Sequence, residues 1–96
     1  MKQVALITGA LSGIGAELAN VFAEKGYDLV LVARNTERLE ALASKLESLH
    51  HIQAKHITKD MSEPRSAEQV YHELQKESIF VDFLVSNAGF VSIQRN

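Results

Sequence analysis

Three glycines, Gly9, Gly13 and Gly15, follow the apolar run "VALIT" (4–8) and open an amphipathic stretch. A strand, a glycine turn and a helix start form a cradle for an anion. Gly9 lets the chain turn sharply off the strand. Gly13 and Gly15 lack side chains, so a phosphate can approach the backbone and the helix can pack against the sheet. The amides near Ser12, Gly13, Ile14 and Gly15 are expected to point at the anion, and a helix N-terminus favours an exposed negative charge by about 0.3–1 kcal/mol. The spacing is G-x-x-x-G-x-G, and its plain alternative is a tight strand–helix turn. No Gly-Lys-Ser/Thr follows, which excludes a P-loop.

A second position bears on which anion is held. Dinucleotide sites that take an unphosphorylated ribose commonly place an acid at the end of the second strand. Here that position reads Ala33-Arg34-Asn35. An acid would repel a 2′-phosphate, whereas an arginine pairs with one through its planar fork. Taken alone, Arg34 also reads as a solvated loop charge. The missing acid argues against a methyltransferase site. Glu37, Arg38, Glu40 and Lys45 read as a solvated helix face, from which Arg38 could reach the same phosphate as a second clamp.

These residues need a scaffold, and the patterning supplies one. "VALIT" (4–8) and "LVLVA" (29–33) are continuously apolar, as in strands buried on both faces of a parallel sheet. Ile14, Leu18, Val21 and Phe22 fall on one helix face, which Gly26 ends. Asn35 or Thr36 caps a second helix with Leu39, Leu42, Leu46 and Leu49 inward. "IQAKHI" (52–57) alternates as a half-exposed edge strand does. Ser62 and Pro64 open a third helix facing inward with Ala67, Val70, Tyr71 and Leu74, and "VDFLVS" (81–86) is the fourth strand. Alternation of strand and helix with right-handed crossovers gives an α/β fold with strand order 3-2-1-4, half of a doubly wound, Rossmann-like parallel sheet. The glycine turn then lies at the switch point, where such sheets bind ligands.

Composition narrows the classes. Ninety-six residues read as one domain, 1–96, with 46% hydrophobic and 23% charged residues. A net charge of −2 disfavours general nucleic-acid and anionic-membrane binding. There is no cysteine, so disulfides, thiolate metal sites and a cysteine nucleophile are excluded. His50, His51, His56 and His72 form no metal-ligand pattern. The apolar run ahead of Thr8 is too short for a signal core or a membrane span, and the expected location is the cytoplasm.

"TGALSGIG" (8–15), "ARN" (33–35), "KDMSEP" (59–64) and "SNAGF" (86–90) together resemble the short-chain dehydrogenase/reductase family, in its order and with its intervals. The resemblance covers nearly the whole chain and implies an oxidoreductase that interconverts a carbonyl and an alcohol by hydride transfer. It implies that Gly9, Gly13 and Gly15 form the family's glycine motif, and that Arg34 selects NADP(H) over NAD(H). Asp60 would accept from the adenine amino group, and Met61 would offer its amide to the ring. Asn87, Ala88 and Gly89 would lie beside the adenosine ribose, with Asn87 chiefly holding strand 4 against Thr8. Leu11 and Ser86 depart from the residues frequent at their positions.

The family's proton donor is a tyrosine with a lysine four residues later, aided by a serine. Tyr27 is followed at that interval by Leu31, and Tyr71 by Gln75. General acid–base chemistry needs those groups within hydrogen-bond reach. The expectation is a partial, truncated cofactor-binding domain, inactive by itself, whose small-molecule substrate binds only in a longer parent. The rival reading is a non-catalytic module that pairs with another chain, or with itself, through an exposed edge of strand 4.

Overall fold

In the computed structural model, which describes residues 2–86 and, for the backbone alone, 91–93, the unbroken apolar runs lie between two helical layers. The elements are β1 (Val4–Thr8), α1 (Gly13–Glu24), β2 (Asp28–Ala33), α2 (Thr36–His50), β3 (Ala54–Thr58), α3 (Ser66–Lys76), β4 (Phe83–Val85) and β5 (Val91–Ile93). They form one sheet of order β3-β2-β1-β4-β5. The first four strands run parallel, as the expected 3-2-1-4 arrangement requires.

Successive side chains of a strand point to opposite faces, so β2 feeds both layers. Leu29, Leu31 and Ala33 join Ala5 and Ile7 of β1 beneath α1 and α2. Val30 and Val32 join Ile57 with Val70 and Leu74 of α3 on the other face. Each fully buried leucine or valine contributes about 1.5–3 kcal/mol relative to exposure. Acidic side chains fix the strand ends. The Val4 amide donates to Asp82 Oδ2 at 2.9 Å, and the Ala54 amide to Glu47 Oε2 at 2.9 Å.

The expected helix faces hold for Leu18, Phe22, Leu39, Leu42, Leu46, Val70 and Leu74, which are buried or packed against the core, and fail at other positions. Ile14 and Val21 of α1 are 73% and 41% exposed, while Gly15, Ala19 and Ala23 are buried. Small residues every four positions let α1 settle close to the sheet, which pushes the bulkier residues to the flanks. The same narrowing exposes Leu49 on α2 and leaves Ala67 and Tyr71 of α3 outside its buried strip, which is Ser66, Val70 and Leu74. Helix α3 also starts later than expected. Ser62 does not cap it, because its hydroxyl donates to Asp60 Oδ1 at 2.6 Å. Pro64 consequently sits in the turn ahead of Ser66. β3 and β4 are likewise shifted or shortened to 54–58 and 83–85.

The outer edge of β4 is not open. β5 pairs with it antiparallel, with Leu84 opposite Ser92. Pairing with another chain through that edge therefore loses the observation that motivated it, since the strand's hydrogen-bonding groups face β5.

The two helical glycines of the turn are not equivalent. A Cβ on Gly15 would lie 2.2 Å from the Gly9 carbonyl oxygen, whereas one on Gly13 meets nothing within 4 Å. Gly15→Ala should force the backbone apart and cost about 1–3 kcal/mol, as overpacking does. Gly13→Ala should leave thermal stability unchanged or slightly raised. Thermal unfolding of the two variants measures this, and equal midpoints would contradict the close approach.

Candidate functional site

The turn after β1 is built on one carbonyl. Gly9 takes a left-handed φ of 63°, which favours glycine. Its oxygen accepts from the Ser12 amide at 3.0 Å and from Ser12 Oγ at 2.9 Å. Ser12 is the N-cap of α1. Its Oγ accepts from the Gly15 amide at 3.0 Å, and its carbonyl accepts from the Ala16 amide at 2.8 Å. A helix leaves its first amides without intrahelical partners, and here the cap satisfies the third and fourth. Among the described residues, the amides of Gly13 and Ile14 have no protein acceptor. This corrects the expectation that four amides face the anion: those of Ser12 and Gly15 are engaged inside the turn, and two donors remain.

The facing wall comes from the ends of β2 and β3. Asn35 Oδ1 accepts from the Arg38 amide at 3.0 Å, so Asn35 is the cap of α2 and Arg38 sits in its first turn. The Lys59 amide donates to the Ala33 carbonyl at 2.9 Å, carrying the pairing of β2 and β3 one residue past the strand. The hydroxyls of Thr36 and Thr58 lie 2.8 Å apart and tie the same two connections. Asp60 Oδ1 accepts from the Ser62 amide and hydroxyl, and Ser66 Oγ donates to the Asp60 carbonyl. Among the described residues Asp60 Oδ2 has no partner. The Ser62 hydrogen bonds, helped by the charge of Arg34, hold the Asp60 carboxyl below its ordinary value of 3.8.

Between these walls lies a cleft of about 520 Å³, within the usual range for small-ligand sites. Of the residues singled out in the sequence, Gly9, Ser12, Arg34, Asp60 and Met61 line it. Gly13, Ile14 and Gly15 continue from Ser12 as the first turn of α1. Leu11 and Arg38 also line it, and so does Lys59, which sequence reasoning passed over. Lys59 carries no periodic or spacing signal; only its place beside Asp60 could have pointed to it. Arg34, Arg38 and Lys59 face a single acid there, Asp60. Asn87, Ala88 and Gly89 lie outside the described residues. Thr8 Oγ1, buried, reaches the Val85 carbonyl at 3.5 Å and joins β1 to β4. Among the described residues no group of three His, Asp or Glu side chains is placed to hold a metal ion. No helix among them is long and apolar enough to cross a membrane.

The profile of the short chain dehydrogenase family matches residues 3–96. The chain belongs to this family. It is 37% identical over 89 residues to farnesol dehydrogenase of Aedes aegypti, covering 93% of this chain and 36% of that protein. Over 89 residues it is also 37% identical to a very-long-chain 3-oxoacyl-CoA reductase of Phaeosphaeria nodorum, covering 88% and 26%. Among solved structures, L-sorbose reductase of Gluconobacter frateurii, complexed with NADPH and L-sorbose, superimposes with a TM-score of 0.85. The identity is 35%, over 93% of this chain and 34% of that one. A Sphingobium yanoikuyae short-chain dehydrogenase in complex with NADPH gives a TM-score of 0.75 at 39% identity, covering 85% and 32%. The chain thus spans about a quarter to a third of the length of these relatives. Its residues correspond to the Rossmann-like, nucleotide-binding portion of short-chain oxidoreductases.

Asp60 makes the site's integrity depend on acid. Because its folded carboxyl is held down, its contribution is complete above the ordinary value of 3.8 and is lost as the pH falls through the lowered one. The stability difference between the wild type and Asp60→Asn should be constant above about pH 5 and shrink below the ordinary carboxylate range. Denaturant unfolding at a series of pH values measures it; a difference that does not change with acid would remove Asp60 from the loop's support.

Proposed function

We propose that residues 1–96 form the NADP(H)-binding portion of an oxidoreductase that interconverts a carbonyl and an alcohol. The observation that carries this reading is the charge of the cleft: Arg34 stands at the end of β2, where an acid would favour an unphosphorylated ribose, and Arg38 lines the same cleft. The residues fit the cofactor on several counts. Gly13 and Ile14 offer two amides without acceptors among the described residues, beside an open Cβ position, suited to the pyrophosphate. Arg34, with Arg38 as a second clamp, takes the 2′-phosphate through charge-assisted hydrogen bonds. Asp60 Oδ2 accepts from the adenine amino group, and the Met61 amide donates to the ring. Asn87, Ala88 and Gly89 complete the ribose end. Ser12 and Gly15 act by holding the turn in shape.

NADP(H), when bound, supplies or accepts the hydride. The NADPH complexes of the structural relatives support the cofactor class. The substrate is a small carbonyl compound or alcohol, and the working compartment the cytoplasm. These 96 residues hold no Tyr-x-x-x-Lys, so by themselves they bind the cofactor and do not turn it over.

Titrating NADP and NAD into the wild type, Arg34→Asp and Gly13→Val tests the assignment. Charge-assisted hydrogen bonds are worth about 1.5–3 kcal/mol, about tenfold to a hundredfold in affinity. The wild type should prefer NADP by that margin, and Arg34→Asp should abolish the preference. Gly13→Val should lose affinity for both nucleotides while its circular dichroism stays native. An unchanged preference in Arg34→Asp would remove Arg34 from the site. Retained affinity in a natively folded Gly13→Val would remove the cradle.

A further inference from the structure

The cleft holds a third cation that neither the glycine turn nor the end of β2 supplies. Lys59 lines it from the β3 side, one residue past the strand, and is only partly exposed. Its amide is bonded to the Ala33 carbonyl at 2.9 Å, so its backbone is fixed beside the peptide that leads into Arg34. The side chain therefore starts from a rigid strand end.

We propose that Lys59 is a specificity-determining residue that closes the phosphate subsite from the side opposite α2, so that a 2′-phosphate is gripped by Arg34, Arg38 and Lys59 together. This inference rests on the NADP(H) reading of the same cleft.

Among the described residues the lysine ion pairs are Lys2 with Asp28 and Lys55 with Glu77. Lys59 forms none, although an acid is its immediate neighbour. Asp60 Oδ1 already accepts two hydrogen bonds from Ser62. Arg34 and Lys59 line the same cleft. Three cations against one acid leave the lining with an excess of two positive charges. A phosphomonoester carries about −1.5 to −2 at pH 7, whereas a ribose hydroxyl carries none. A charge excess of that size suits the phosphorylated ribose and gives nothing to the plain one. The chemistry of the three differs usefully. The arginine forks fix orientation, while lysine acts as a point charge with rotatable donors and tolerates small displacements of the phosphate.

The probes are 2′,5′-ADP and 5′-AMP, with NADP and NAD beside them, titrated calorimetrically into the wild type, Lys59→Met and Lys59→Arg. Lys59→Met should bind 2′,5′-ADP and NADP about tenfold more weakly, with 5′-AMP and NAD unchanged. Its salt dependence for 2′,5′-ADP should be shallower. Lys59→Arg should restore most of the loss, which a merely structural role for the side chain would not require. If Lys59→Met keeps the full wild-type preference for the 2′-phosphate, Lys59 is a bystander and the inference fails while the cofactor reading stands. An equal loss for all four ligands also overturns it, because Lys59 would then act on the shared part of the nucleotide or on the fold. A wild type without preference for the 2′-phosphate overturns the cofactor reading, and this inference with it.

Discussion

The meeting of Gly15 with the Gly9 carbonyl sets the position of everything else in the site. At 2.2 Å from a built Cβ to that oxygen, no other residue type fits without backbone movement. The contact brings the first turn of α1 onto the end of β1. It also leaves the Gly9 oxygen free to take two hydrogen bonds from Ser12 and so close the turn. Because Ser12 then satisfies the Gly15 and Ala16 amides, the amides of this turn without a protein acceptor among the described residues are those of Gly13 and Ile14. A packing constraint inside the fold thereby decides which two amides face outward. The two open amides are a by-product of how closely a helix can approach a strand.

The facing wall follows a different logic, one of charge. Parallel pairing of β2 with β3 continues through the Ala33 carbonyl and the Lys59 amide, so the two strand ends release their chains side by side. Each then contributes cations to a common cleft: Arg34 and Arg38 from one, Lys59 from the other. Asp60, the one acid among the described residues of the lining, is ionised at neutral pH, and its Ser62 hydrogen bonds extend that ionised form to more acidic conditions. Donors for a pyrophosphate stand on one wall, cations for a phosphomonoester on the other, and a carboxylate oxygen on the β3 side. That set is what the proposed reading of a phosphorylated adenine dinucleotide calls for in kind.

Much of this was legible in the sequence because the signals were local. Val4–Thr8 and the run from Leu29 are apolar without alternation, which only a two-sided burial explains, and the strand order followed from the connections. The glycine spacing and Arg34 marked the cleft. Other features depend on tertiary geometry. Ile14 and Val21 look like a helix face by period, but Gly15, Ala19 and Ala23 bring α1 so close that the larger residues are displaced outward. Ser62 has the type of a helix cap, yet a carboxylate two residues earlier claims it. Lys59 is one charge among ten basic residues, and the pairing of β2 with β3 sets its place in the cleft. β5 is three residues long, too short for a pattern to register.

The division of labour between the two walls rests most directly on the Gly13 and Ile14 amides. A ¹H–¹⁵N correlation spectrum of the chain, followed through a titration with NADP, reads them individually. The Gly13 and Ile14 amide resonances should show the largest downfield shifts in α1, as hydrogen bonds to phosphate oxygens form, while Gly15 and Ala16, already bonded to Ser12, move little. Saturable binding that leaves Gly13 and Ile14 in place, with its shifts on the surface of α3 instead, would contradict the cradle at the start of α1.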